Sequence, residues 1–172
     1  MFECIVIERL DTPLARGLLI LGLGNSLLRD DGIGLHVVAA LDPMRLARLG
    51  GNDVRICDGG TLGLSLLPEI ERTDSLIVVD AANFGGRRGE VRVFHAEAMD
   101  ARIGAARSSA HELALADLIG AARLTGALPE RRALVGIAPA DIGWGIEPTP
   151  EVAASVPSAC AAIEAIIEGW AE

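Results

Sequence analysis

The sequence predicts an α/β protein in which a mostly parallel sheet of about five strands carries helices on both faces. Segments of strand character alternate with segments of helical period along the chain, as in successive βαβ units. Several of the strand segments are apolar at every position, as strands covered on both faces are. Apolar residues make up 51% of the chain and aromatics only 3%, so close helix-to-sheet packing has to be built from Ala, Leu, Ile and Val. At 172 residues the chain is expected to form a single domain with a sizeable core.

The first strand is "GLLILGLG", Gly17 to Gly24. A helix from about Asp31 follows, with Ile33, Val37, Ala40, Leu41 and Met44 on one stripe. Asp42-Pro43 then reads as the cap and first position of a short further helical stretch. "DVRIC" (Asp53 to Cys57) is the second strand and runs into "DGGT". A partial helix between Leu62 and Glu71 leads to "DSLIVVD", a buried strand ending on Asp80. "EVRVF" (Glu90 to Phe94) alternates polar and apolar residues and so belongs at an edge. The stretch from Ser108 to about Leu124 is helical, and "RALVGIA" (Arg132 to Ala138) is the last strand. Thr149-Pro150 opens a C-terminal helix whose Val152, Val156, Cys160, Ile163, Ile167 and Trp170 face the core, with a kink at Pro157.

Ligands of such sheets sit beyond the carboxyl ends of the strands, where the strand order reverses. Gly22 and Gly24 imitate the start of a dinucleotide fingerprint, but Leu27 stands where a third glycine is needed. Asp30 and Asp31 would also repel a pyrophosphate at that point. Phosphate-loop, serine-elbow and HExxH patterns are all missing from the sequence.

A cation suits the same loops better. Asp31 follows the first strand and Asp80 ends the third, and two converging carboxylates repel unless a proton or a metal offsets them. His111, opening the next helix, supplies a third ligand, and two oxygens with one imidazole suit zinc, nickel or a similar first-row ion. Simpler roles stand beside this one: Asp30 or Asp31 as a helix cap, Asp80 as a turn residue, His111 on the surface. "DGGT" is a tight turn that lets backbone approach a ligand, or a plain strand-to-helix connection. Trp144, in a chain so poor in aromatics, is a candidate contact for a polypeptide, or a packing residue.

The net charge of −9 argues against nucleic acid as a partner. Three scattered cysteines form no CxxC pair or disulfide framework, and Cys57 and Cys160 read as small buried hydrophobes. The first residues make a poor signal peptide and no apolar run reaches bilayer length, so no membrane association and a cytoplasmic location are expected.

The ordered set "GLGNSLLRDDGIG", "DGGT", "IVVDA", "HELALADLIGAARLTG" and "LVGIAP" resembles the hydrogenase maturation endopeptidases of nickel–iron hydrogenases. The likeness runs from about Leu18 to Trp170 and leaves residues 1–17 outside it. It implies a three-layer α/β/α fold with a twisted, mostly parallel sheet. It also implies an endopeptidase that removes a C-terminal extension from the hydrogenase large-subunit precursor once nickel is inserted. By the same resemblance the metal ligands are Asp31, Asp80 and His111, and they are also the candidates for catalysis. The nickel is presented by the substrate, with zinc or another divalent ion able to substitute. Asp30 and the loop Asp58, Gly59, Gly60 and Thr61 are candidates for positioning the substrate. A non-catalytic maturation chaperone that binds metal or precursor, and a nucleotide-binding oxidoreductase, are the alternatives from other classes.

Overall fold

A computed structural model describes residues 4–7, 17–50, 54–105 and 110–171, without the side chains of 4–7, 50, 105 and 110–113. Six strands form one sheet: β1 (Cys4–Ile7), β2 (Gly17–Leu23), β3 (Val54–Gly60), β4 (Thr73–Ala81), β5 (Val91–His95) and β6 (Arg131–Ile137). Their spatial order is β1-β3-β2-β4-β6-β5. The inner four strands are parallel, while β1 and β5 close the two edges antiparallel. The five strands expected from the sequence are all present, and β1 adds a sixth at the edge of β3.

Alternation along the strands divides the core into two layers, because successive side chains leave a strand on opposite faces. On one face Leu18, Ile20, Val54, Ile56, Ile77, Val79, Val135 and Ile137 pack against α1 (Ile33–Ala40), α2 (Pro43–Gly50) and the C-terminal helices α6 (Pro150–Ala153) and α7 (Val156–Ala171). On the other, Leu19, Leu21, Leu76, Val78 and Leu134 meet α3 (Leu67–Ile70), α4 (Ala96–Ala105) and α5 (Ala110–Leu124). Burial on both sides explains why β2 is apolar throughout, whereas β5 alternates with half-buried Val91 and Val93 around exposed Arg92.

The chain runs from β2 through α1 and α2 to β3 on one side, then returns over the opposite face to β4 on the other side of β2. The strand order therefore reverses at β2, and the crevice at the carboxyl ends of β2 and β4 is the switch point of this sheet. Close contact at that place depends on Gly34 in the first turn of α1. A Cβ there would lie 2.3 Å from the carbonyl oxygens of both Leu23 and Val79. The glycine that lets helix and sheet touch thus stands ten residues beyond Gly24, after an inserted 3-10 turn (Arg29–Gly32).

Five expectations need correction. The helix α4 lies in a stretch given no element, and its buried Met99 and Ile103 complete one layer of the core. Met44, placed on the apolar stripe, is 60% exposed, because α2 starts afresh at Pro43 with Asp42 Oδ1 accepting from Met44 N at 2.9 Å. Cys57, read as a simple buried hydrophobe, is disulfide-bonded. The segment Pro150–Ala171 has the length and the mean hydropathy, 1.4, of a bilayer span. Yet it is divided between Ala153 and Val156, and its Val152, Ala159, Ile163 and Ile167 are buried against the sheet. Pro157 accordingly sits in the first turn of α7 rather than at a kink within one helix.

A charge cluster ties α4 to α5 and β6. Arg132 holds Asp100 with two bonds, Nε to Oδ1 at 3.0 Å and Nη2 to Oδ2 at 2.7 Å, and Arg123 Nη2 reaches the same Oδ2 at 2.7 Å. These hydrogen bonds and charges, Arg132 first, hold the Asp100 carboxyl below its ordinary value of 3.8. A depressed folded-state value means stability that is present above the unfolded value and lost as pH falls through the folded one. Asp100→Asn is therefore expected to cost roughly 2 kcal/mol at neutral pH, and its urea midpoint should converge with that of the parent as pH drops below about 4. Equal midpoint differences at pH 7 and at pH 3 would exclude this account. For Gly34→Ala, the clash with two fixed carbonyls predicts a loss of about 1–3 kcal/mol in urea unfolding; an unchanged midpoint would show that α1 can lift off the sheet without penalty.

Candidate functional site

The carboxyl-terminal edge of the sheet gathers three buried carboxylates, Asp30, Asp31 and Asp80. Asp80 lies near the end of β4, level with Gly136 of the neighbouring β6. Asp30 and Asp31 lie in the 3-10 turn between β2 and α1. Gly24 makes that turn possible, with φ +131° and the Asp31 carbonyl oxygen 1.9 Å from where a Cβ would stand. Neither carboxylate of the turn acts as a helix cap.

Asp31 is tied to its own loop, Oδ2 accepting from Asn25 N at 3.1 Å. It stands at the carboxyl end of β2, and Asp80 at that of the adjacent parallel β4, where Gly22 is level with Val79. The two acids thus flank the switch-point crevice. His111 belongs to the first turn of α5, and its side chain lies outside the described residues. The first part of α5 lies at this edge: Leu115 lines a cavity of about 10 Å³ together with Asp80, Ala82 and Arg102, and Ala114 borders a second one with Gly60, Thr61 and Gly63. Residue 111 is about one helical turn before Leu115. Among the described residues no group of three metal-ligating side chains is assembled.

Asp30 has a different part from the substrate contact expected of it. Its carboxylate is fully buried and accepts four hydrogen bonds: from Ala140 N and Asp141 N at 2.8 Å, Thr149 N at 2.6 Å and Thr149 Oγ1 at 3.0 Å. Those donors come from the loop after β6, so Asp30 fastens that loop to the turn after β2. Sequence spacing gives no hint of this, since the partners are more than a hundred residues away.

Arg29 works beside it and was not singled out from the sequence. Its backbone has φ +42°, an uncommon conformation for a residue with a side chain. Its N–H donates to Gly145 O at 2.8 Å, Nε to Trp144 O at 3.3 Å, and Nη1 pairs with Asp141 Oδ2 at 2.8 Å. Such strain persists where surrounding bonds hold it. Leu28 and Gly145 form a short parallel bridge in the same place.

The "DGGT" loop is partly the last turn of β3. Asp58 is exposed and folds back, Oδ1 accepting from Gly60 N at 3.0 Å, while Gly60 O accepts from Gly24 N at 3.1 Å. A Cβ on Gly59 would stand 2.7 Å from Leu21 Cδ1, so this glycine is required by packing. Asp58 and Thr61 are the members of the loop whose side chains face solvent. Arg102, on the helix that sequence reasoning passed over, shares the cavity beside Asp80 and donates to Asn83 O at 2.5 Å. A larger hollow of about 840 Å³, bordered by Gly17, Thr73 and Arg131, lies at the opposite, amino-terminal edge of the strands.

The sequence profile described as "Hydrogenase maturation protease" matches residues 35–166. The chain belongs to the hydrogenase maturation protease family. It is 34% identical over 162 residues to the hydrogenase expression/formation protein HupD of Rhizobium leguminosarum bv. viciae, covering 94% of this chain and 79% of that protein. It is 36% identical over 140 residues to the hydrogenase 2 maturation protease of Escherichia coli, covering 81% and 83% of the two chains. The solved structure of the hydrogenase maturating endopeptidase HybD from E. coli superposes with a TM-score of 0.78 at 32% identity, over 90% of this chain and 93% of that one. HybD from Thermococcus kodakarensis gives 0.70 at 28% identity, over 88% and 99%. As a hydrogenase maturation protease the chain is a hydrolase of the endopeptidase class, and it carries the α/β fold of these enzymes.

In this maturation protease, removing the Asp30 carboxylate leaves three backbone N–H groups and the Thr149 hydroxyl without their acceptor. Asp30→Ala is expected to lower stability by on the order of 3 kcal/mol, with faster hydrogen exchange concentrated at the Ala140, Asp141 and Thr149 amides. Unaltered protection at those three amides would mean that the carboxylate does not hold the loop.

Proposed function

We propose that this protein cuts the C-terminal extension from a nickel–iron hydrogenase large-subunit precursor after nickel insertion, and that it recognises the inserted nickel through Asp31, Asp80 and His111. The observation that carries the reading is the pair of buried carboxylates at the ends of two adjacent parallel strands, at the switch point of a chain of this family. Carboxylates gathered at one crevice favour a cation there. Oxygen ligands that leave coordination positions open suit a cation carried by the substrate, so the acids act as a check on loading and not as a permanent cage.

In this scheme Asp31 and Asp80 contribute oxygen ligands and His111 a neutral imidazole, whose affinity for metal falls on protonation. Zinc or another divalent ion can take the same three ligands in place of nickel. The loop of Asp58, Gly59, Gly60 and Thr61 lies along the same edge and positions the substrate chain. Asp30 supports the site from behind by fixing the loop that borders it.

Incubating nickel-loaded and nickel-free precursor with the protein and following the size of the large subunit tests the scheme. Cleavage is expected with the loaded precursor alone. Asp31→Ala, Asp80→Ala and His111→Ala should each slow it by at least the roughly 10–100-fold that even outer-shell partners of a metal are worth. Processing that survives the loss of both carboxylates would remove the nickel-recognition scheme. A metal-dependent complex whose extension stays intact would instead identify a chaperone.

A further inference from the structure

The exposed apolar side chains of this protein are not spread evenly. Among the described residues, Met44 and Leu124 stand apart on helices, whereas Leu27, Leu62, Ile142, Trp144 and Ile146 in loops and Leu64 in a 3-10 turn lie at the carboxyl-terminal edge of the sheet. Four of them share one platform, because the segment 25–29 and the segment 141–146 are joined backbone to backbone. Gly145 N donates to Leu27 O at 3.0 Å, and Arg29 N donates to Gly145 O at 2.8 Å. On that platform Trp144 is 80% exposed, Ile146 67%, Leu27 53% and Ile142 50%.

A scattered exposed leucine needs no explanation, but a cluster of large apolar groups at a site does. The cluster is also held in place. Arg29 carries strained backbone and binds the Trp144 carbonyl and Asp141, and Asp30 anchors both ends of the same loop. Asp31 is the next residue in the turn, so the platform is continuous with the acidic crevice. An apolar, rigid ledge beside a pocket of negative charge complements a polypeptide that presents apolar side chains next to a bound cation. A Trp displayed this way is the residue type that most often dominates binding to a protein partner.

We infer that Trp144, Ile146, Leu27 and Ile142 form a docking ledge for an apolar surface of the hydrogenase precursor, which seats the polypeptide while the carboxylates engage its metal. The inference rests on the proposed function for the identity of the partner. It adds a second recognition element that reads the protein chain and not the ion.

Trp144 reports on its own environment. In a Trp170→Phe background it is the sole tryptophan, and its emission should shift to the blue when nickel-loaded precursor is titrated in. The double variant Trp144→Ala/Ile146→Ser should weaken precursor binding and raise KM about tenfold or more, with kcat within about twofold and an unchanged urea midpoint. Leu124→Ser, at the far end of α5, serves as a control that leaves both parameters as they were. An unmoved Trp144 emission at saturating precursor, or an unchanged KM in the double variant that still cleaves, overturns the ledge and leaves the protease assignment intact. Binding with the blue shift but no cleavage by the parent protein does the reverse. A dimer in sedimentation that dissociates on Trp144→Ala would also overturn it, by showing that a second copy of this chain covers the face.

Discussion

The buried carboxylate of Asp30 joins two loops that follow different strands, and the architecture of the functional edge depends on that joint. A carboxylate inside a protein is tolerated when its oxygens are fully hydrogen-bonded, and then it becomes a rigid fastening. Here three backbone amides and one hydroxyl from the segment after β6 converge on it. Because Asp30 sits in the turn that also carries Arg29 and Asp31, one fastening sets both the crevice acid and the loop that displays Trp144. The loop after β6 crosses the end of β4 to reach it, so the ends of three parallel strands are gathered into one surface.

The close approach of α1 makes this arrangement reachable. With Gly34 against the carbonyls of Leu23 and Val79, the helix lies low over β2 and β4, and the turn before it is brought to the crevice. A dinucleotide-binding turn uses its glycines to bring a helix N-terminus up to a phosphate. This chain uses Gly24 and Gly34 for the same geometric end but inserts the Arg29–Gly32 turn between them. The turn places two buried carboxylates where a dinucleotide-binding turn would hold an anion, so the charge of this part of the edge is opposite to that of a phosphate site.

In the proposed scheme the apolar and polar parts of the edge divide the labour of recognising a large substrate. Charge in a confined crevice is selective for a cation but indifferent to the polypeptide around it. An apolar ledge contributes area and shape and is indifferent to metal. The two are neighbours in one turn of this structure, with Asp31 next to the segment that carries Leu27 and is bonded to Gly145.

Much of this was legible in the sequence, and the rest was not for identifiable reasons. Strands buried on both faces announce themselves as unbroken apolar runs, so β2, β4 and β6 were plain, and alternation in 90–94 placed β5 at an edge. That Asp31 follows the first parallel strand and Asp80 stands near the end of the third was legible because strand ends are local features, and both acids are buried there. The helix α4 escaped because its hydrophobic pattern is shallow and its burial comes from contacts with β5, β6 and α5. Met44 keeps the helical period of α1 on paper, but the new helix that opens at Pro43 turns it to solvent. Local pattern and turn chemistry determined the strands, their layering and the acids at their ends, since these depend on neighbours in the chain. The partners of Asp30, the posture of Arg29 and the gathering of Trp144 with Leu27 were decided only by tertiary structure, because each joins residues over a hundred positions apart and no sequence period connects them.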